Sequence, residues 1–134
     1  MDTPESVLYG YIAAMNSWER KCTDLDKRCK AGELEFEEAD EISHGGFTQI
    51  HQRFVLHNVP AHRNCFSDPP EYDPTTEKIM EVRRVGETVV EIDTLDDRHF
   101  KHHYTYYLTL VSEGWKLSKK VRHRKDGTEY DIGL

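Results

Sequence analysis

Apolar residues recur at three- and four-residue steps along the first third of the chain: Val7, Leu8, Tyr11, Ile12, Met15, Trp18, Cys22, Leu25 and Cys29. This spacing predicts an amphipathic helix of roughly seven turns, with an apolar stripe wide enough to lie across a sheet. Thr3-Pro4-Glu5 form its start: a capping hydroxyl, a fixed φ suited to the first helical position, and a carboxylate at the positive end of the dipole. Ala31-Gly32 ends it. A second, poorer helix is predicted over Glu33 to Ser43, where Leu34, Phe36, Ala39 and Ile42 make a thin apolar edge. His44-Gly45-Gly46 breaks that helix, and Phe47, Ile50, Phe54 and Leu56 predict a third, short one ending before Pro60.

Between Asn58 and Pro74 the prolines at 60, 69, 70 and 74 exclude regular structure, so this stretch reads as a loop. From Glu77 onward the period falls to two. Ile79 to Val85, a turn at Gly86, and Thr88 to Leu95 predict a hairpin, helped by β-branched Thr88, Val89 and Val90. In the next stretch Phe100, His102, Tyr104, Tyr106, Leu108 and Leu110 point one way, and Lys101, His103, Thr105, Tyr107 and Thr109 the other. Ser112-Glu113-Gly114 turns the chain. On the return strand Trp115, Leu117 and Val121 are expected to continue the apolar face, with Lys116, Lys120, Arg122 and Arg124 on the wet side. Asp126-Gly127 is a turn signal before a short final strand within Thr128 to Ile132. Helices first and antiparallel strands afterwards is the α+β layout, with the long helix in the concave side of a bent sheet. The expected organisation is one domain over 1–134: mainly helical to 58, a proline-rich loop over 59–76, and strands over 77–132.

Composition narrows the class. With 32% charged and 37% hydrophobic residues, the chain reads as soluble and globular; no apolar run is long enough to span a bilayer and no signal-like segment opens it. Three cysteines are an odd number, and Cys22 and Cys29 sit about 10 Å apart along one helix, too far to bridge. These features fit a reducing cytoplasm. A net charge of −7 argues against generic binding to nucleic acid or to an anionic membrane, and suits a basic protein partner.

Candidate chemistry is sparse. An acid–base enzyme would draw on Glu91, Asp93, His102 and His103 from the strands and Tyr11 from the helix. Glu91 and Asp93 share a face but alternate with Val90 and Ile92, which look like the core side, so the acids are expected to face water. His44, His51, His57 and His62 are spaced seven, six and five apart, which matches no common zinc pattern; Cys65 has no Cys-x-x-Cys partner. His102 and His103 point to opposite faces. No metal and no cofactor is expected. The sharpest feature is the acid run Glu33, Glu35, Glu37, Glu38, Asp40 and Glu41, which is either a solvated helix face or an electrostatic docking surface for a basic partner. The basic side (Lys101, Lys116, Lys120, Arg122, Arg124) could instead serve an acidic partner or dimer contacts; it lacks the interleaved aromatics of a nucleic-acid groove.

Three local patterns carry a resemblance: Met15-Asn16-Ser17-Trp18-Glu19 inside the first helix, Pro69-Pro70-Glu71-Tyr72-Asp73-Pro74 ahead of the first strand, and Tyr104-x-Tyr106-x-Leu108 followed by Gly114-Trp115-Lys116-Leu117. With the order of a long helix, two shorter ones and a curved sheet, the chain resembles the nuclear transport factor 2-like (cystatin-like) superfamily. Within it, the chain is most similar to the fold-immunity proteins of bacterial polymorphic toxin systems. The acid segment Glu33 to Glu41 departs from the family's features. The resemblance implies a non-catalytic inhibitor that binds a cognate toxin and protects its own cell. Partner contacts are then expected at Glu33, Glu35, Glu37, Glu38, Asp40 and Glu41, and a pocket or core lining at Tyr11, Met15, Trp18, Tyr104, Tyr106 and Trp115. Two other classes stay open: a small-molecule binder or acid–base enzyme using the space between helix and sheet, and a homodimer closed through the sheet's outer face.

Overall fold

The computed structural model describes residues 2–61, 66–98 and 101–134. Its first helix, α1 (Pro4–Lys30), starts in a reciprocal cap: the Thr3 hydroxyl accepts from the Ser6 amide at 3.1 Å, and the Ser6 hydroxyl accepts from the Thr3 amide at 3.0 Å. Ala31 closes the helix, and Gly32 takes the left-handed φ of +75° that a residue with a Cβ rarely adopts. The buried stripe runs through Leu8, Tyr11, Ile12, Met15, Trp18, Cys22 and Leu25, as the periodicity predicts. Glu19 lies within the same buried surface.

The two shorter helices predicted after α1 are in fact one, α2 (Phe36–Phe54), which runs straight through His44-Gly45-Gly46. Glycine inside a helix costs about 1 kcal/mol relative to alanine, which is why the pair reads as a break. Packing reverses the reading at Gly46. A Cβ there would meet Trp18 Cδ1 at 3.1 Å, so the missing side chain lets α2 close on α1, and Trp18 Nε1 donates to the Ser43 carbonyl at 2.7 Å. The helix also starts later than expected. Glu33 and Glu35 precede it, Glu33 lying 3.9 Å from Arg28 and Glu35 occupying the cap position without a side-chain capping bond. Beyond α2, Val55 forms an isolated parallel bridge with Leu117, and the Leu56 amide donates to the Leu117 carbonyl at 2.8 Å.

Five strands follow in an antiparallel meander: β1 (Glu77–Arg84), β2 (Val89–Asp96), β3 (His102–Val111), β4 (Gly114–His123) and β5 (Glu129–Asp131), neighbours in that order. Gly114 and Gly127 carry positive φ at the turns before and after β4. The inner face, under the helices, holds Val90 and Ile92 opposite Leu108 and Tyr106, all 0% exposed. Phe100, expected to extend this face, lies outside the described residues.

One irregularity changes the expected faces of β4. Leu108 pairs with Leu117 and Tyr107 with Lys119, so Ser118 is an extra residue on one strand, a β-bulge. Beyond a bulge the alternation shifts by one. Lys120, expected on the wet side, turns inward opposite Tyr106 and is 1% exposed. Val121, expected on the inner face, pairs instead with Thr105 on the other side. The basic stripe is thereby broken: Lys120 is internal and Lys116 donates to the Arg53 carbonyl near the end of α2, which leaves Lys101, Arg122 and Arg124.

Candidate functional site

The middle of the space between α1 and the sheet, where a small-molecule site would lie, is packed with side chains, while a cleft of about 730 Å³ opens at its edge between Ser6, Val7 and Gly10 on α1 and Leu110, Trp115 and Lys116 on the sheet. Tyr11, Met15, Trp18, Tyr104, Tyr106 and Trp115 are all buried, in one core with Leu8, Ile12, Phe47 and Phe54. Polar groups inside are matched to one another. The Tyr106 hydroxyl donates to Glu77 Oε2 at 2.8 Å and the Thr94 hydroxyl to the same oxygen at 2.7 Å. Burial, then the Glu77 carboxylate, push the Tyr106 phenol well above its usual range. The Lys120 ammonium stands over three rings, 4.1 Å from the centroid of Tyr72, 4.2 Å from Tyr104 and 5.2 Å from Tyr106. This cage surrounds the buried cation with aromatic faces.

The proline-rich segment completes the interior. Glu19, fully buried, accepts from the Ser67 amide at 3.2 Å and the Tyr72 amide at 3.0 Å, and Asn16 Nδ2 donates to the Tyr72 carbonyl at 2.7 Å. From the sheet side Arg98 donates to the carbonyls of Pro70 and Glu71 and pairs with buried Asp96 at 2.7 Å. Burial works to raise the Asp96 carboxyl, but hydrogen bonds from Arg98 and Thr76 outweigh it and hold it below the usual range.

On the outer face the acids read from the sequence are engaged by an arginine. Arg83 donates to Glu91 Oε2 at 3.1 Å and grips both oxygens of Asp93, at 2.5 and 2.8 Å. Thr105 donates to Asp93 Oδ1 at 2.6 Å and lies 2.7 Å from His123 Nε2. His103 stacks on His123 with ring centroids 4.5 Å apart, while His102 packs beside Tyr104 on the inner side. Asp93, His103 and His123 thus come together, with potential ligand atoms within 4.8 Å of one another. The set is poorly disposed to hold a metal: Asp93 is already held by Arg83 and Thr105, and stacked imidazoles aim their lone pairs along near-parallel planes rather than at one point. Of the spaced histidines, His44 and His57 are exposed and His51 is half-buried in α2; His62 and Cys65 lie outside the described residues.

The Arg83 grip keeps the Asp93 carboxyl below its ordinary range. A depressed carboxyl adds stability above its unfolded pKa of about 3.9 and loses it as pH falls through the folded value. Asp93→Asn is therefore expected to cost about 1 kcal/mol at pH 7 in urea unfolding, with the gap to the natural chain closing below about pH 4. A gap that persists at pH 2 would show that the loss comes from packing instead.

The acid run stays outside all this. Glu33, Glu35, Glu37, Glu38, Asp40 and Glu41 are exposed, and between them Phe36 is 76% exposed, the most open large apolar residue described. Only Ala39 in this stretch is buried. The NTF2 fold immunity protein family matches residues 3–130, nearly the whole chain. The chain belongs to that family. No curated protein and no solved structure matches it. The α+β architecture, two helices and a five-stranded antiparallel sheet, is consistent with that fold. Among the described residues no helix is long and apolar enough to cross a membrane.

The three patterns that suggested an immunity protein turn out to touch. Asn16 and Glu19 from the first hold the backbone of Tyr72 from the second, and Tyr72, Tyr104 and Tyr106 share Lys120. Sequence reasoning missed Glu19, Glu77, Arg83, Lys120 and His123. Glu19 had a signal, an acid four residues after Met15 and three before Cys22, inside an apolar stripe. Lys120 had none, since neither glycine nor proline announces the bulge.

Proposed function

We propose that this immunity protein binds a cognate toxin domain and neutralises it by direct contact in the cytoplasm of the cell that makes both. Family membership over residues 3–130 carries the reading. The packed centre of the interior supports a binder over an enzyme, because a substrate seated there would have to displace buried tyrosines and the caged Lys120.

The acid run around Phe36 is the surface we assign to the toxin. Six carboxylates within nine positions, with no basic residue between Ala31 and Ser43, would attract a basic surface and speed encounter. An exposed phenylalanine among them supplies the apolar anchor that charge alone lacks. The test is co-expression with the product of the adjacent upstream gene in a sensitive host. Rescue of growth together with co-purification is the expected result; a harmless neighbour, or rescue without binding, overturns the reading. Reversing Glu35, Glu37, Glu38 and Glu41 to lysine is expected to weaken toxin binding at least tenfold, roughly 1.4 kcal/mol or more, and to flatten its salt dependence. Unchanged affinity in a folded variant would remove this surface while leaving the function.

A further inference from the structure

The end of the sheet opposite the β3–β4 turn carries charge of the other sign. A cleft of about 860 Å³ opens there, and Lys101, Arg122, Arg124 and Lys125 line it together with His102 and Tyr130. Three chain segments build it: the approach to β3, the end of β4 and the returning β5, where Arg122 pairs with Tyr130. Arg124 is held in place by its guanidinium, 4.2 Å over the Tyr130 ring.

Among the described residues none of the four cations is committed to an ion pair within 4 Å, and the nearby carboxylates are occupied. Asp126 accepts from the Thr128 amide and hydroxyl, at 2.9 and 2.6 Å, and Glu129 faces His123 at 3.7 Å. Four gathered cations repel one another, and in a chain of net charge −7 they are not needed for solubility. Burial, and then Arg122, pull the His102 imidazole below its usual range against the opposing pull of Asp96 and Glu71.

We propose that this cleft binds a compact phosphate-bearing anion, at the scale of a di- or triphosphate group. Two arginine forks suit phosphate oxygens, and the lysines add point charge. Compactness follows from the rest of the molecule. Beyond about 8 Å screening isolates the cleft, and a long polyanion leaving it would run along a net acidic surface. The site is separate from the acid run, so it stands or falls independently of toxin binding.

Calorimetric titration of the full chain with inorganic tripolyphosphate in 50 mM salt tests this. Saturable one-to-one binding is expected, weakened about tenfold in Arg122→Gln and in Lys125→Gln, and unaltered in Lys21→Gln on α1. Lys125 is exposed in a turn, so its replacement leaves the fold out of question. Heat that does not saturate, or equal affinity in all three variants, overturns the site. Citrate binding as tightly as tripolyphosphate overturns the phosphate assignment, and tighter binding of a twenty-nucleotide oligothymidylate overturns compactness.

Discussion

Replacing Glu19 with alanine is expected to lower the unfolding free energy by about 3–5 kcal/mol, enough to leave a chain of this size marginal. The carboxylate is fully buried and accepts from the buried amide of Tyr72 and the part-buried amide of Ser67, so its removal strands the Tyr72 donor away from water and opens a hole in the buried stripe of α1. Glu19→Gln should lose less, since one carbonyl oxygen survives to serve one amide while the new NH2 opposes the other. Urea unfolding of both variants measures the order. A loss below about 1 kcal/mol for the alanine variant would mean that water replaces the carboxylate and that the segment does not depend on it.

Trp18→Ala is expected to cost a similar amount, about 3–5 kcal/mol, by a different route. The indole fills the junction of the two helices, with its ring 5.3 Å from Phe47, its edge against Gly46 and its N–H on the Ser43 carbonyl. Trp18→Phe separates the parts: it keeps most of the volume and loses the hydrogen bond, for about 1 kcal/mol. Hydrogen exchange gives a second readout. In Trp18→Ala the amides of α2 should lose protection first, while those of β3 from Tyr104 to Leu108 keep theirs. Uniform loss across both layers would show that the helices and sheet open as one unit.

Local signals in the sequence carried the long helix and the strands. Thr3, Pro4 and the apolar repeat to Cys29 define α1 because caps and periodicity act within a few residues of one another. The hairpins follow from alternation and from Gly114 and Gly127. What escaped was decided by groups far apart in sequence. Whether Gly45-Gly46 ends a helix depends on Trp18, 28 residues before Gly46, and the inward turn of Lys120 depends on a bulge that only the register with Tyr107 reveals. The candidate site divides the same way. Glu91 and Asp93 could be placed on the outer face from alternation, whereas Arg83, which pairs with both, comes from another strand whose register no local pattern fixes. The acids from Glu33 to Glu41 were legible as charge; their sharing a surface with exposed Phe36 was not.

The bulge at Ser118 also bears on how this chain can diverge. Substitution along the second half of β4 changes one side chain at a time, on a face that the strand already assigns. Loss of a single residue between Leu117 and Lys119 is another kind of event. It would remove the bulge and leave every other pairing in place: Lys119 opposite Tyr107, Lys120 still beneath the tyrosines opposite Tyr106, Val121 still on the other side, and Arg122 and Arg124 still at the cleft. Descendants of this lineage can therefore carry a one-residue gap at position 118 with the interior and the basic cleft intact, whereas pairing Ser118 into the ladder at full length would turn Lys120 outward and Val121 inward.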